Sequence, residues 1–322
     1  MSLNPTNGVD ISFSSYVNQR KRELSGHMIN GIPDYTFPLD YSLRQKINSV
    51  PGMFQLFKAI MTYLVPFKRQ EMNLSDIAVG PNQYPEIYAI GEECARRLGI
   101  GVPKIFVKYD VYINACAYAS EDAEPVIEIN SALIDTFSLD EIRTIVGHEC
   151  GHIHNNHTIY NVAAQIVAGT LEIALVKAIP GLAQLISLLS VGAKMLLATW
   201  SRAAEVTCDR AGMICSNSYN DAAMALAKLG FGGIQAMQHI NLDEYIKQVE
   251  KMQQTVVRFE ELNADHPLTP KRVLAAKLFS ECETLYSWRP DWKSSDMDLV
   301  SKAETDKKCE SFIAVSSKKM AR

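Results

Sequence analysis

The chain has 322 residues, 47% of them hydrophobic and 21% charged, with a net charge of −4. That is an ordinary globular composition, enough for one large domain or two small ones, and its mildly acidic balance gives no reason to expect nucleic acid. Seven scattered cysteines with no C-x-x-C pair point to reduced thiols and a cytoplasmic setting, and the opening MSLNPTNGVDISFSS lacks the basic and apolar regions of a signal peptide.

In chain order, residues 1–40 read as a polar extension punctuated by Gly8, Gly26, Gly31, Pro33 and Pro38. Helices are expected at Tyr41 to Lys46 and Met53 to Phe67. In the second, the Phe54, Phe57, Met61 and Leu64 stripe suits core packing better than a cofactor or a membrane surface. Pro81 to Leu98 should be helical, with Pro85 near its start and Gly99 capping its end. The apolar period then changes to two. Lys104 to Lys108, Val111 to Ala119 and Pro125 to Ile129 read as short strands of an antiparallel meander. Asn114, Ala115, Cys116, Ala117 and Tyr118 are the candidate edge on which an extended peptide could add a strand, with an ordinary sheet strand as the equal alternative.

Ser138 to His157, SLDEIRTIVGHECGHIHNNH, carries the chemistry. Ser138 and Glu141 form an S-x-x-E capping box, and Leu139, Ile142, Ile145 and Val146 recur at helical spacing. On that helix His148 and His152, four apart, share one face and can reach one ion. Glu149 flanks the same ion, placed to take a proton from a water there. Gly151 suits close approach of a neighbouring helix or of substrate. His154 and His157 lie about 200° and 140° around the helix from His152, and are expected as solvated residues at its end.

Ile159 to Trp200 is strongly apolar and divides at Pro180-Gly181 into two helical runs, each long enough to span a bilayer. Glu172, Lys177 and Lys194 interrupt them, which favours a soluble or peripheral hairpin over a transmembrane one. The hairpin should bring back SRAAEVTCDRAG beside the histidines. Glu205 can then complete a His-His-Glu zinc site with water in the fourth place. Asp209, one turn on, suits the second nitrogen of a ligand histidine. Surface ion pairs with Arg202 and Arg210 are the bland alternative, Glu172 is the rival ligand, and a Cys208 thiolate ligand stays open, although a small buried residue suits Cys208 better.

Beyond this come a helix over Asp221 to Leu229, a longer one from Leu242 to Leu262, and then NADHPLTPKR. His266, before a proline, sits in extended backbone and could donate to the oxyanion of a tetrahedral intermediate. Residues 291–322 read as a polar tail, leaving 41–290 as the domain.

The ordered set H-E-x-G-H, apolar hairpin, S-R-x-x-E-x-x-x-D and H-P with a following Arg resembles the HtpX-like and CAAX-prenyl-protease family of zinc endopeptidases. The strand segment VYINACAYA before EPVIEINSALID is similar too, so the likeness covers roughly residues 75 to 285. It implies one zinc ion per chain bound by His148, His152 and Glu205, with Glu149 as general base and acid. It also implies that Asp209 orients a ligand histidine, that His266 binds the oxyanion and that Arg272 lies near the site. Cys150, Cys208 and Asp265 depart from the residues usual in the family. The expected fold is α+β and mainly α, a zincin-type helical domain with a small antiparallel sheet and the apolar hairpin between two metal-binding helices. The expected partner is a protein or peptide bound as an extended strand, with membrane contact through 159–200 left open. Two readings from other classes are a zinc-binding scaffold that does not cut, and a membrane protein in which the hairpin is the function.

Overall fold

The computed structural model describes residues 27–120, 123–168, 191–232, 239–251 and 269–313. It is mainly helical with two small sheets, the α+β class that the sequence suggests. A hairpin of β1 (Met28–Ile29) and β2 (Ile32–Pro33) precedes α1 (Pro38–Asn48) and α2 (Met53–Ser75). α2 runs on past Phe67 with Pro66 inside it. An interior proline removes a hydrogen bond, but Val65 and Met72 on either side are fully buried, and that packing sustains the helix.

β3 (Ile77–Ala78), α3 (Pro85–Leu98), β4 (Lys104–Lys108), β5 (Ala115–Ser120) and β6 (Ala123–Asn130) follow. The sheet order is β3-β4-β6-β5, and the expected meander is replaced by a mixed sheet: β6 inserts between β4 and β5 and runs parallel to β4. The expected antiparallel β5–β6 pairing is kept, and the order follows from burial, since a central β6 packs Ile127 into one core and Val126 into the other. Alternate residues serve two cores. Ile105, Ala117 and Ile127 face one, while Phe106, Tyr118 and Val126 face the other, with α2.

α4 (Ser131–Thr136) leads into α5 (Leu139–His154), then α6 (Thr158–Ala168) and α7 (Val191–Cys215). Residues 169–190 of the expected hairpin, including Glu172, lie outside the described residues. No helix among the described residues is long and apolar enough to cross a membrane. α8 (Tyr219–Phe231), α9 (Leu242–Lys251), α10 (Thr269–Ser280), α11 (Glu283–Trp288) and α12 (Lys302–Ile313) complete the chain. α12 falls in the segment expected as a polar tail. Instead Cys309 and Ile313 are buried and Asp306 pairs with Arg210 at 2.7 Å, so this helix is docked. Its apolar positions are too few for the hydrophobic pattern to stand out among Lys, Glu and Ser.

Candidate metal centre

α5 starts where its capping box says it should. The Ser138 hydroxyl accepts from the Glu141 amide at 3.3 Å, and the Glu141 carboxylate accepts from the Ser138 amide at 2.7 Å. α7 crosses α5 on glycine. A Cβ at Gly147 would come within 2.5 Å of the Cys215 Cβ, and one at Gly151 within 2.7 Å of the Ala211 Cβ. At Gly212 it would come within 2.8 Å of the Thr144 carbonyl oxygen. Only side-chain-free positions let two helices approach so closely. The C-terminus of α7 is tied by two guanidinium groups: Arg97 donates to the Cys215 carbonyl at 2.7 Å, and Arg289 to that of Ile214 at 3.0 Å. Cations on these last carbonyls also suit the helix dipole.

The crossing gathers the side chains that the sequence spread over more than fifty positions. His148 Nε2 and His152 Nε2 lie 3.2 Å apart. Glu205 Oε2 is 3.6 Å from the first and Oε1 is 3.5 Å from the second. Two donors bonding one zinc at about 2.1 Å in tetrahedral geometry stand about 3.4 Å apart, so the spacing fits such an ion. All three residues are buried, as is Glu149 beside His148.

A second set overlaps this one: donor atoms of His148, His152 and Cys208 lie within 4.8 Å of one another. Burial pushes the metal-free Cys208 thiol well up, and Glu205, Asp40, Glu149 and Asp209 push it further, whereas an ion bound there would itself deprotonate a coordinating thiol. Its Sγ also lies 3.4 Å from His157 Nδ1. The Glu205 carboxylate faces both imidazoles at 3.5 and 3.6 Å, so the two sets share His148 and His152 and differ in the third donor.

The supporting contacts are specific. Asp209 Oδ1 lies 2.9 Å from His148 Nδ1. Arg272, from α10, donates Nε to Asp209 Oδ2 at 2.9 Å and Nη2 to Oδ1 at 2.6 Å, and reaches Glu205 at 3.2 Å. Burial works to raise the Asp209 carboxyl, but Arg272 and His148 outweigh it and hold it below the usual range. Burial opposes protonation of His148, yet Asp209 and Glu205 raise it on balance. His266 lies outside the described residues.

Two features were not legible beforehand. Asn161, on α6, has its amide nitrogen 3.0 Å from His152 Nδ1. The turn that brings it there passes through Asn156 in the left-handed region (φ 55°), with the His157 amide donating to the His152 carbonyl at 2.9 Å. No helical spacing foretells a contact made around such a turn. His157 corrects an expectation: far from solvated, it is fully buried, with Asp40 Oδ2 3.0 Å from its Nε2, though off the line of a hydrogen bond. The angle of about 140° holds only for a continuous helix, and α5 ends at His154. His154 is half-buried and meets the Tyr35 hydroxyl at 3.0 Å.

Residues 81–278 match Peptidase family M48. The chain belongs to that family. Among M48 relatives, it is 27% identical over 222 residues to a plastoglobule-localized metallopeptidase 48, chloroplastic, of Arabidopsis thaliana, covering 67% of this chain and 60% of that protein. It is 26% identical over 220 residues to a protease HtpX homolog of Pyrococcus abyssi, covering 61% of this chain and 73% of the relative. The crystal structure of S. mikatae Ste24p superposes with a TM-score of 0.42 at 16% identity, covering 82% of this chain and 67% of the other.

Proposed function

We propose that this chain is a zinc-dependent endopeptidase. One observation carries the reading. Two imidazoles and a carboxylate from helices far apart in the chain converge at ligand spacing, with a second carboxylate, Glu149, adjacent to His148. His148, His152 and Glu205 would hold one zinc ion per chain, and Asp209 and Arg272 would fix His148. When bound, zinc lowers the pKa of a coordinated water and polarises a carbonyl.

The chain's own residues do the rest. Glu149 accepts a proton as the water oxygen bonds to the peptide carbonyl carbon. It returns that proton to the nitrogen as the C–N bond breaks, leaving a carboxylic acid and an amine. His266, which precedes Pro267 in the sequence, donates to the carbonyl oxygen as negative charge gathers there. The substrate is a protein segment that adds as a strand to the Asn114 to Tyr118 edge. The position of β5 supports this: it is one of the two outer strands of its sheet and packs against α5. Seven cysteines, none of them in a disulfide, support a reducing, cytoplasmic setting, and the apolar 159–200 run supports contact with a membrane.

The test is Glu149→Gln with casein as an unfolded substrate. The variant retains near-stoichiometric zinc and loses cleavage. A wild type that cuts nothing, or a variant that cuts equally well, rules the enzyme out.

A further inference from the structure

We propose that Asn161 is a positioning residue for His152, and that its amide serves the imidazole in both tautomers, metal-free and metal-loaded. The inference rests on the zinc reading above. His152 points Nε2 at His148 and Glu205, 3.2 and 3.5 Å away. An ion there takes the Nε2 lone pair and leaves the ring proton on Nδ1. Nδ1 faces the side-chain amide of Asn161 at 3.0 Å.

A side-chain amide holds both an acceptor and a donor. With Nδ2 toward the ring it donates to a bare Nδ1, the tautomer in which Nε2 carries the proton. A half-turn presents Oδ1, which accepts from an Nδ1–H. His148 is held otherwise. Its Nδ1 meets Asp209, a carboxylate clamped by Arg272, which can only accept. His148 is therefore fixed in the metal-ready tautomer, whereas His152 can exchange its proton between nitrogens and keep a partner throughout. α6, which carries Asn161, also fixes the candidate substrate edge, since the Thr158 hydroxyl donates to the Ala119 carbonyl at 2.9 Å.

The experiment measures the zinc dissociation constant of the full chain by chelator competition, for wild type, Asn161→Ala, Asn161→Leu and Asn161→Asp. Loss of such a partner weakens metal affinity by about 10–100-fold, and this is expected of Ala and Leu. Asp, an acceptor of the same shape, holds His152 with Nδ1 protonated and binds zinc as tightly as wild type or more so. Nitrogen NMR of the His152 ring gives an independent reading. The metal-free wild type carries its proton on Nε2 and metal-free Asn161→Asp on Nδ1. A purely structural role would make the half-buried charge of Asp at least as damaging as Ala. That result, or an Ala variant with wild-type affinity, overturns the proposal. A wild type that takes up no zinc fails differently, because it removes the metal site altogether.

Discussion

Gly151→Ala tests whether the glycine crossing sets the metal geometry. The added Cβ would stand 2.7 Å from the Ala211 Cβ and 3.1 Å from the Cys208 Cα. Relaxed carbon contacts lie at about 3.5–4.0 Å, so the helices must part by about 1 Å. Overpacking of that kind costs about 1–3 kcal/mol, and the better helix propensity of Ala returns about 1 kcal/mol. The net loss is then about 0–2 kcal/mol, a fall in Tm of at most several degrees at about 2–4 °C per kcal/mol for a chain of this order. The effect on the site is larger. Glu205 sits on α7 less than two turns before Ala211, and ligand constellations tolerate displacements of only about 0.5 Å. Zinc affinity should fall by about 10–100-fold. The assay is chelator competition beside a thermal melt. Gly80→Ala is the control, since nothing lies within 4 Å of a Cβ there. Adding Ala211→Gly to Gly151→Ala removes the nearest clash and should recover most of the affinity. Gly151→Ala with wild-type affinity and Tm, or a double variant no better than the single, refutes the reasoning.

Two further outcomes follow from other parts of the site. Glu205→Ala should abolish stoichiometric zinc by metal analysis while Glu172→Ala keeps it, and the reverse pattern would transfer the ligand role to Glu172. For Asp40, burial works to raise the carboxyl, but His157, Arg44 and the Thr207 hydroxyl outweigh it and leave it at about 2. Burial brings His157 down to about 4, so it turns cationic only in the acid range where Asp40 titrates. An acid with a depressed folded pKa adds stability above its unfolded value, and that stability is lost as pH falls through the folded one. Wild type should therefore lose stability as pH falls from about 4 to 2, by chemical denaturation across that range; a flat curve there would show that Asp40 contributes nothing.

What could be foreseen follows the range of each signal. The α5 helix, its capping box and the shared face of His148 and His152 depend on neighbours within a turn or two, and local spacing suffices for them. The bounds of β4 follow from sequence for the same reason, its period-two run being short and bounded. The parallel β4–β6 pairing is another matter. Strand order depends on which edge buries Ile127 and Val126 best, and that choice is made by α2 and α5 from outside the strands. The same limit explains His157 and Asn161. Both lie within nine residues of His152, yet their positions depend on how tightly the chain turns after Asn155, and that turn is itself held from afar. Thr36 donates to the Asn155 side chain at 2.8 Å, and Arg44 donates to its carbonyl. Thr36, in what reads as a polar extension, and Arg44, on α1, thus fix the end of the helix that bears both histidines. Variants at Tyr35, Thr36 or Arg44 should accordingly be judged by the metal as much as by the melt, because whatever loosens that turn also moves the partner of His152.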